Sequence, residues 1–136
     1  MKLFKTPILM VDAIIHSQKK ILLIKRNVEP FKNCWCLVGG KVRYGERIED
    51  ALKREVKEEV GLKVKVERFI GFFDDPKRDP RWHSISLAFE VKPLSKKVEI
   101  DKKEVLEARW FEVNRLPKKI GFDHKKIIKR WLELNE

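Results

Sequence analysis

The chain has little of what marks a stapled, secreted or membrane-spanning protein. Only two of its 136 residues are cysteine, Cys34 and Cys36. Two thiols cannot complete a zinc site, and in an extended Cys34-Trp35-Cys36 they face the same way, a poor geometry for a mutual disulfide. Both are therefore expected to be reduced, which points to a cytoplasmic setting. No apolar run approaches the roughly twenty residues of a membrane span. The apolar stretch 7–15 is interrupted by Asp12 and followed by no small-residue cleavage site, which argues against a signal peptide. Gln18 is the one glutamine and Thr6 the one threonine, beside abundant lysine and glutamate. That balance is the signature of a heat-adapted, charge-rich surface. Repeats, low-complexity tracts and linkers are missing too, so residues 1–136 are expected to form a single domain. A chain of this length buries roughly two-thirds of its unfolded surface and needs no staple.

What is there is charge: 32 Lys and Arg against 21 Asp and Glu, a net +11, with 39% of residues charged. A polyanionic small molecule, a nucleic acid and a plainly solvated surface all fit such a surplus. Most of it reads as solvated surface. Nucleic acid is the weakest of the three, because no recognised nucleic-acid module and no basic stripe with interleaved aromatics is present.

Apolar runs at 8–15 and 21–24, separated by Ser17-Gln18-Lys19-Lys20, predict a hairpin. A third short strand is expected at 35–38, ending in a loop at Gly39-Gly40. Helical spacing over 46–60 stops at Gly61, a left-handed cap. Strands at 64–73 and 84–91 flank a polar loop, 108–113 adds another strand, and 123–134 is an amphipathic helix with Asp123 as its N-cap. Strands, helix, strands, helix describe an α+β domain whose mixed sheet is covered by helices.

The chemistry concentrates on the first helix. At about 100° per residue, Ile48, Ala51, Leu52 and Val56 form its buried stripe, and Glu55 and Glu59 project from the same stripe one turn apart. Glu58 lies at its edge. Ordinary surface pairs with Lys53 and Lys57 do not account for these acids, since those lysines lie on the other side of the helix. Burying one ionised carboxylate costs several kcal/mol, and a like charge beside it adds to that. The single Arg54 cannot neutralise three acids, whereas Mg²⁺, which takes hard oxygen ligands, can. Just ahead, Gly39-Gly40 lets backbone groups approach closely, and Glu46 stands where it can cap or orient the site.

Gly40, five residues, Glu46, seven residues, then Arg54-Glu55-Val56-Lys57-Glu58-Glu59-Val60-Gly61-Leu62 resembles the complete Nudix box, here spanning 40–62. The resemblance implies the Nudix fold, an α/β/α sandwich around a mixed β-sheet. It also implies Mg²⁺-dependent hydrolysis, with Mn²⁺ as a substitute, of a nucleoside diphosphate linked to another moiety. Carried over by position, Glu55, Glu59 and Glu58 resemble metal ligands, with Glu58 alternatively a base acting through water. The Gly39 carbonyl would complete the shell, and Gly40 would approach the substrate. Arg54 and Glu46 resemble the residues that orient the carboxylates. Some relatives add a carboxylate six residues before a Trp that opens a strand, which here selects Glu104 before Trp110. Val38 stands where many relatives have Pro, a difference in loop stiffness that touches no catalytic group.

Outside the box, the loop 74–83, with Pro76 fifteen residues after Gly61, resembles the ADP-ribose pyrophosphatase branch. So does Gly121-Phe122-Asp123-His124 ahead of the last helix. This branch would convert ADP-ribose and water to AMP and ribose 5-phosphate. Arg26, after the second strand, and Arg81 and His83 in the loop are the candidate substrate contacts, while Arg78 and Asp79 read as a loop ion pair. Asp123, His124, Trp35, Trp82 and Phe73 read as structural before functional. Two alternatives remain: a nucleoside triphosphate pyrophosphohydrolase clearing oxidised nucleotides of the 8-oxo-dGTP type, and an RNA-binding or RNA-end-processing protein. The resemblance also admits a homodimer, and nothing in the sequence suggests a membrane partner.

Overall fold

The computed structural model describes residues 4–136. Its order is β1 (Ile8–Ser17), β2 (Lys20–Arg26), β3 (Trp35–Cys36), β4 (Val38–Lys41), α1 (Ile48–Val60), β5 (Val64–Phe73), β6 (Ser84–Pro93), β7 (Val105–Glu112) and α2 (His124–Leu134). The β1–β2 hairpin closes through Gln18 and Lys19, both at positive φ (51° and 64°), the conformation a two-residue hairpin turn requires.

The sheet is mixed. β1 pairs in parallel with β6 and antiparallel with β4, and β5 runs antiparallel to β6. β2 carries β3 and β7, both antiparallel. Parity along β1 separates two cores. Val11, Ala13 and Ile15 face α1 through Ala51, Leu52, Val56 and Val60. Ile14 faces α2 through Ile127, Ile128 and Trp131. The α/β/α sandwich expected from the sequence is thus the observed architecture. Helix α2 is further clasped to the sheet by Glu90, whose Oε1 accepts from the Trp131 indole N–H and from Arg68, and by the His16 ring, whose centroid lies 5.6 Å from that of Trp131. No described helix is long and apolar enough to cross a membrane.

Three expectations are corrected. Helix α1 begins at Ile48, not residue 46, because Glu46 turns back to accept the Arg43 amide at 3.0 Å. The run 35–38 is divided at Leu37, where the chain leaves β2 and joins β1, and Gly39-Gly40 lies in strand β4 instead of a loop. β7 starts at Val105, so Trp110 sits inside the strand opposite Leu22 and does not open it.

Gly61 ends α1 at φ 73° with its amide bonded to the Lys57 carbonyl at 3.0 Å. A methyl group there would also crowd Glu99, 3.1 Å from its Cβ. Gly61→Ala is expected to cost about 1–2 kcal/mol, read as a lowered urea midpoint with unchanged slope; an unshifted midpoint contradicts this account of the helix end.

Candidate active site

Helix α1 carries its carboxylates into the layer between helix and sheet. Glu59 is 7% exposed, Glu55 is half-buried, and Glu58 lies exposed at the edge of the stripe. Arg54 is shared among several acceptors. Its Nε and Nη2 donate to Glu46 at 2.7 and 3.0 Å, its Nη1 to Glu55 and Glu58 at 2.8 and 3.2 Å, and its Nη2 also to the Lys41 carbonyl. These bonds, with the Arg43 amide, pull the Glu46 carboxyl down to about 2.

Among the described residues, no such cation contacts Glu59. Its Oε2 accepts the Gly39 amide at 3.1 Å. Burial pushes its carboxyl well above the ordinary range, and the charges of Glu55 and Glu104 push the same way. Burial raises Glu55 as well, against the pull of Arg54.

The glycines of β4 make this approach possible. The Val42 amide donates to the Leu9 carbonyl, which sets the phase of the β1–β4 ladder so that Gly39, opposite Asp12, is a non-hydrogen-bonded pair. Its N–H and C=O therefore both point away from β1, the N–H toward Glu59 and the carbonyl free to ligate. A Cβ on Gly40 would overlap the Glu55 carboxylate, and one on Gly39 would overlap Asp12. Buried acids in excess of the one guanidinium beside them, with a free backbone oxygen alongside, form a donor set that fits a hard divalent cation.

A cavity of about 370 Å³ joins these groups to a cationic cluster. Glu55, Glu58, Glu59, Gly39 and Gly40 line it together with Glu104, which precedes β7. Arg26 and Arg81 line it too, their guanidinium carbons 5.0 and 6.0 Å from the centroid of Phe122. Arg26 is braced by the Pro30 carbonyl at 2.7 Å. Arg81 is braced by Asp79, through Nε at 3.1 Å and Nη2 at 2.9 Å, and lies over Trp82. Both arginines keep donors to spare, as a diphosphate partner requires.

His83 is not brought to this cavity. It is exposed, and its ring bonds the Asp74 carbonyl at 3.1 Å, at the far end of its own loop. The expected Arg78–Asp79 loop pair is replaced as well: Asp79 takes Arg81, while Arg78 reaches Asp123. Asp123 occupies the N-cap position of α2 without a capping bond.

Several lining residues were not among the candidate site residues: Asp12, and Arg78, Phe122 and the buried His124, which lie in the segments that carried the branch resemblance. A lone Asp within the apolar run of β1 was the available signal for the first. His124 satisfies the amide of Leu37, stranded between β3 and β4, by accepting it on Nδ1 at 3.0 Å. That contact spans 87 positions, and no local pattern announces it.

Comparison with known proteins agrees with this geometry. The model of the NUDIX domain matches residues 7–131. An ADP-ribose pyrophosphatase of Methanocaldococcus jannaschii is 50% identical over 88 residues, 65% of this chain and 52% of that protein. An NAD-capped RNA hydrolase, NudC, of Salmonella heidelberg is 37% identical over 90 residues, 66% of this chain and 34% of that protein. The chain thus spans about half the length of the first relative and a third of the second. Among solved structures, the NUDIX domain of Shewanella oneidensis NrtR, complexed with ADP ribose, is similar at a TM-score of 0.82 and 25% identity, over 98% of this chain and 91% of that one. A MutT NUDIX hydrolase from Burkholderia pseudomallei gives 0.82 at 26% identity, over 93% and 98%. A domain match covering nearly the whole length, on a fold that sets the box glutamates around one cavity, makes this chain a member of the Nudix family.

Proposed function

We propose that the chain hydrolyses the diphosphate bridge of a nucleoside diphosphate derivative, and that its substrate is ADP-ribose, yielding AMP and ribose 5-phosphate. The observation that carries this reading is the pairing, in one cavity, of under-neutralised carboxylates at Glu55, Glu58 and Glu59 with the braced guanidiniums of Arg26 and Arg81. The first group calls for a cation and the second for phosphate. The similarity to an ADP-ribose pyrophosphatase and to a domain complexed with ADP ribose supports the choice of substrate.

Glu55, Glu58, Glu59 and the Gly39 carbonyl would hold Mg²⁺, with Mn²⁺ as a substitute. Such an ion, when bound, lowers the pKa of water and offsets charge on the diphosphate. Arg54 and Glu46 orient the carboxylates, Glu104 or Glu58 takes the proton of the attacking water, and Arg26 and Arg81 hold the phosphates. The water oxygen bonds to one phosphorus as the bridging P–O bond breaks, so no covalent enzyme intermediate is needed. The backbone at Gly40 leaves room beside Glu55 for the substrate. The free thiols of Cys34 and Cys36 suit a reducing cytoplasm, and the lysine- and glutamate-rich surface suits heat adaptation.

With Mg²⁺, the purified protein is expected to release AMP from ADP-ribose faster than it hydrolyses 8-oxo-dGTP or ordinary nucleoside triphosphates. Faster triphosphate turnover assigns it to the pyrophosphohydrolases that clear nucleotides, and a preference for NAD-capped RNA over free ADP-ribose assigns it to RNA-end processing. Glu59→Gln is expected to lower kcat by on the order of 10²-fold or more while the circular dichroism spectrum is kept; near-normal kcat contradicts the metal assignment. Arg81→Ala, which removes a charge-assisted phosphate contact, is expected to raise KM about tenfold, and an unchanged KM removes Arg81 from the phosphate site.

A further inference from the structure

Arg78 is one of the most deeply buried charges in the protein, its side chain 2% exposed. Its guanidinium serves three directions. Nε and Nη2 grip the two oxygens of Asp123 at 3.0 and 2.8 Å, Nη1 donates to Ser84 Oγ at 2.7 Å, and Nη2 lies 3.6 Å from Asp12. Asp12 in turn accepts from Ser86 and faces His124 Nε2 at 3.3 Å. His124 accepts the Leu37 amide on Nδ1, so its proton sits on Nε2 and points to Asp12. One buried side chain thus links the loop 74–83 to the start of α2, to β1 and β6, and through His124 to the segment leading into Gly39.

That link matters because of what the loop carries. Asp79 follows Arg78, is 3% exposed, and holds Arg81 by its backbone amide, Nε and Nη2. Among the described residues, the other side-chain hydrogen bonds of residues 74–83 stay within the loop, such as Lys77 amide to Asp75 and His83 to the Asp74 carbonyl. On the far side of Arg81 the chain is held by the Ile8 amide on the His83 carbonyl and by Lys41 over the Trp82 ring, so the side-chain anchor that fixes Arg81 from the side of Asp79 is Arg78, three residues earlier. We propose that Arg78 is a positioning residue for substrate binding: it acts through Arg81, locking the loop against the polar layer beneath the cavity. This rests on the phosphate role of Arg81 given above.

A guanidinium is required, since a lysine ammonium keeps the charge but cannot fork to Asp123 while reaching Ser84. Arg78→Lys is therefore the informative variant, assayed with ADP-ribose and Mg²⁺ well below its Tm. KM is expected to rise about tenfold with kcat within about threefold, and the Mg²⁺ concentration for half-maximal activity is expected to stay unchanged. In an Arg81→Ala background the same substitution should have no further effect on KM, the non-additivity of two residues acting through one contact. Hydrogen exchange at the amides of Asp79, Arg81 and Trp82 should quicken while α1 is unchanged. An unchanged KM, an effect that adds fully to that of Arg81→Ala, or unaltered exchange in 79–82 overturns the proposal. Should Arg78→Lys fail to fold, Ser84→Ala, which removes one of the three bonds, carries the same test with a KM change of about two- to threefold in the same direction and the same non-additivity. The exchange measurement needs no substrate, so a wild-type protein inactive on ADP-ribose refutes the proposed reaction and leaves the loop anchor to be judged separately.

Discussion

Glu59 hangs from the buried face of α1 with the Gly39 amide as its hydrogen-bond partner and, among the described residues, no cation beside it. An ionised carboxylate in that position is expensive, and much of the surrounding structure is legible as what makes the position reachable. Strand β4 has glycine at two successive places because α1 packs with Glu55 against one and Asp12 lies against the other. The ladder phase that frees the Gly39 amide for Glu59 frees its carbonyl as well. Arg54 holds Glu46, Glu55 and Glu58 apart from one another, but it does not reach Glu59. The fold is thus built to leave one acid short of a counter-charge, a cost in the free protein that becomes an asset when a divalent ion arrives.

The cations that the proposed function assigns to the substrate follow the opposite rule. Arg26 and Arg81 are each tied by one edge to a fixed acceptor and laid near Phe122, so little side-chain freedom is left to lose on binding. Arg78 carries that order inward to β1 and α2. Against a surplus of +11, these few side chains are a small share, and the excess belongs mainly to the solvated surface. The net charge alone pointed toward polyanions of any kind; under the proposed function, the braced arginines beside buried carboxylates serve a small diphosphate.

How much of this could be read from the chain differs from element to element. Helix α1 was legible because Ala51, Leu52, Val56, Glu55 and Glu59 share a period and Gly61 ends it. The bounds of β5 and the start of β6 were legible from alternation and a polar loop, while β6 runs two residues beyond the expected 91, to Pro93. The course of residues 35–41 was not, since a four-residue apolar run that changes partner strands at Leu37 has the same pattern as one that does not. Gly39-Gly40 reads locally as a loop, and a strand that needs glycine for the sake of a helix above it gives no local sign. Asp123 reads as a cap, yet Arg78, 45 positions away, takes its carboxylate. His83 and Arg81 were both candidate contacts in sequence, and the path of the loop separates the one in the cavity from the one outside it. Long-range polar contacts of this kind are decided by packing, which propensity and spacing do not encode.

The central claim is that Glu59 is buried as an uncompensated carboxylate. A folded-state carboxyl raised above its unfolded value binds its proton more tightly in the native state, so it destabilises the protein once pH exceeds the unfolded value near 4.5, and the loss grows as pH climbs toward the raised value. Glutamine at this position keeps an acceptor for the Gly39 amide and removes the charge. The direct measurement is the Tm of metal-free wild type and Glu59→Gln from pH 4 to pH 8. The account predicts that the variant is the more stable at pH 7 to 8, that the difference shrinks toward pH 4, and that Mg²⁺ raises the Tm of wild type but not of the variant. A variant less stable than wild type at pH 7 without metal, or one that Mg²⁺ stabilises equally, contradicts it.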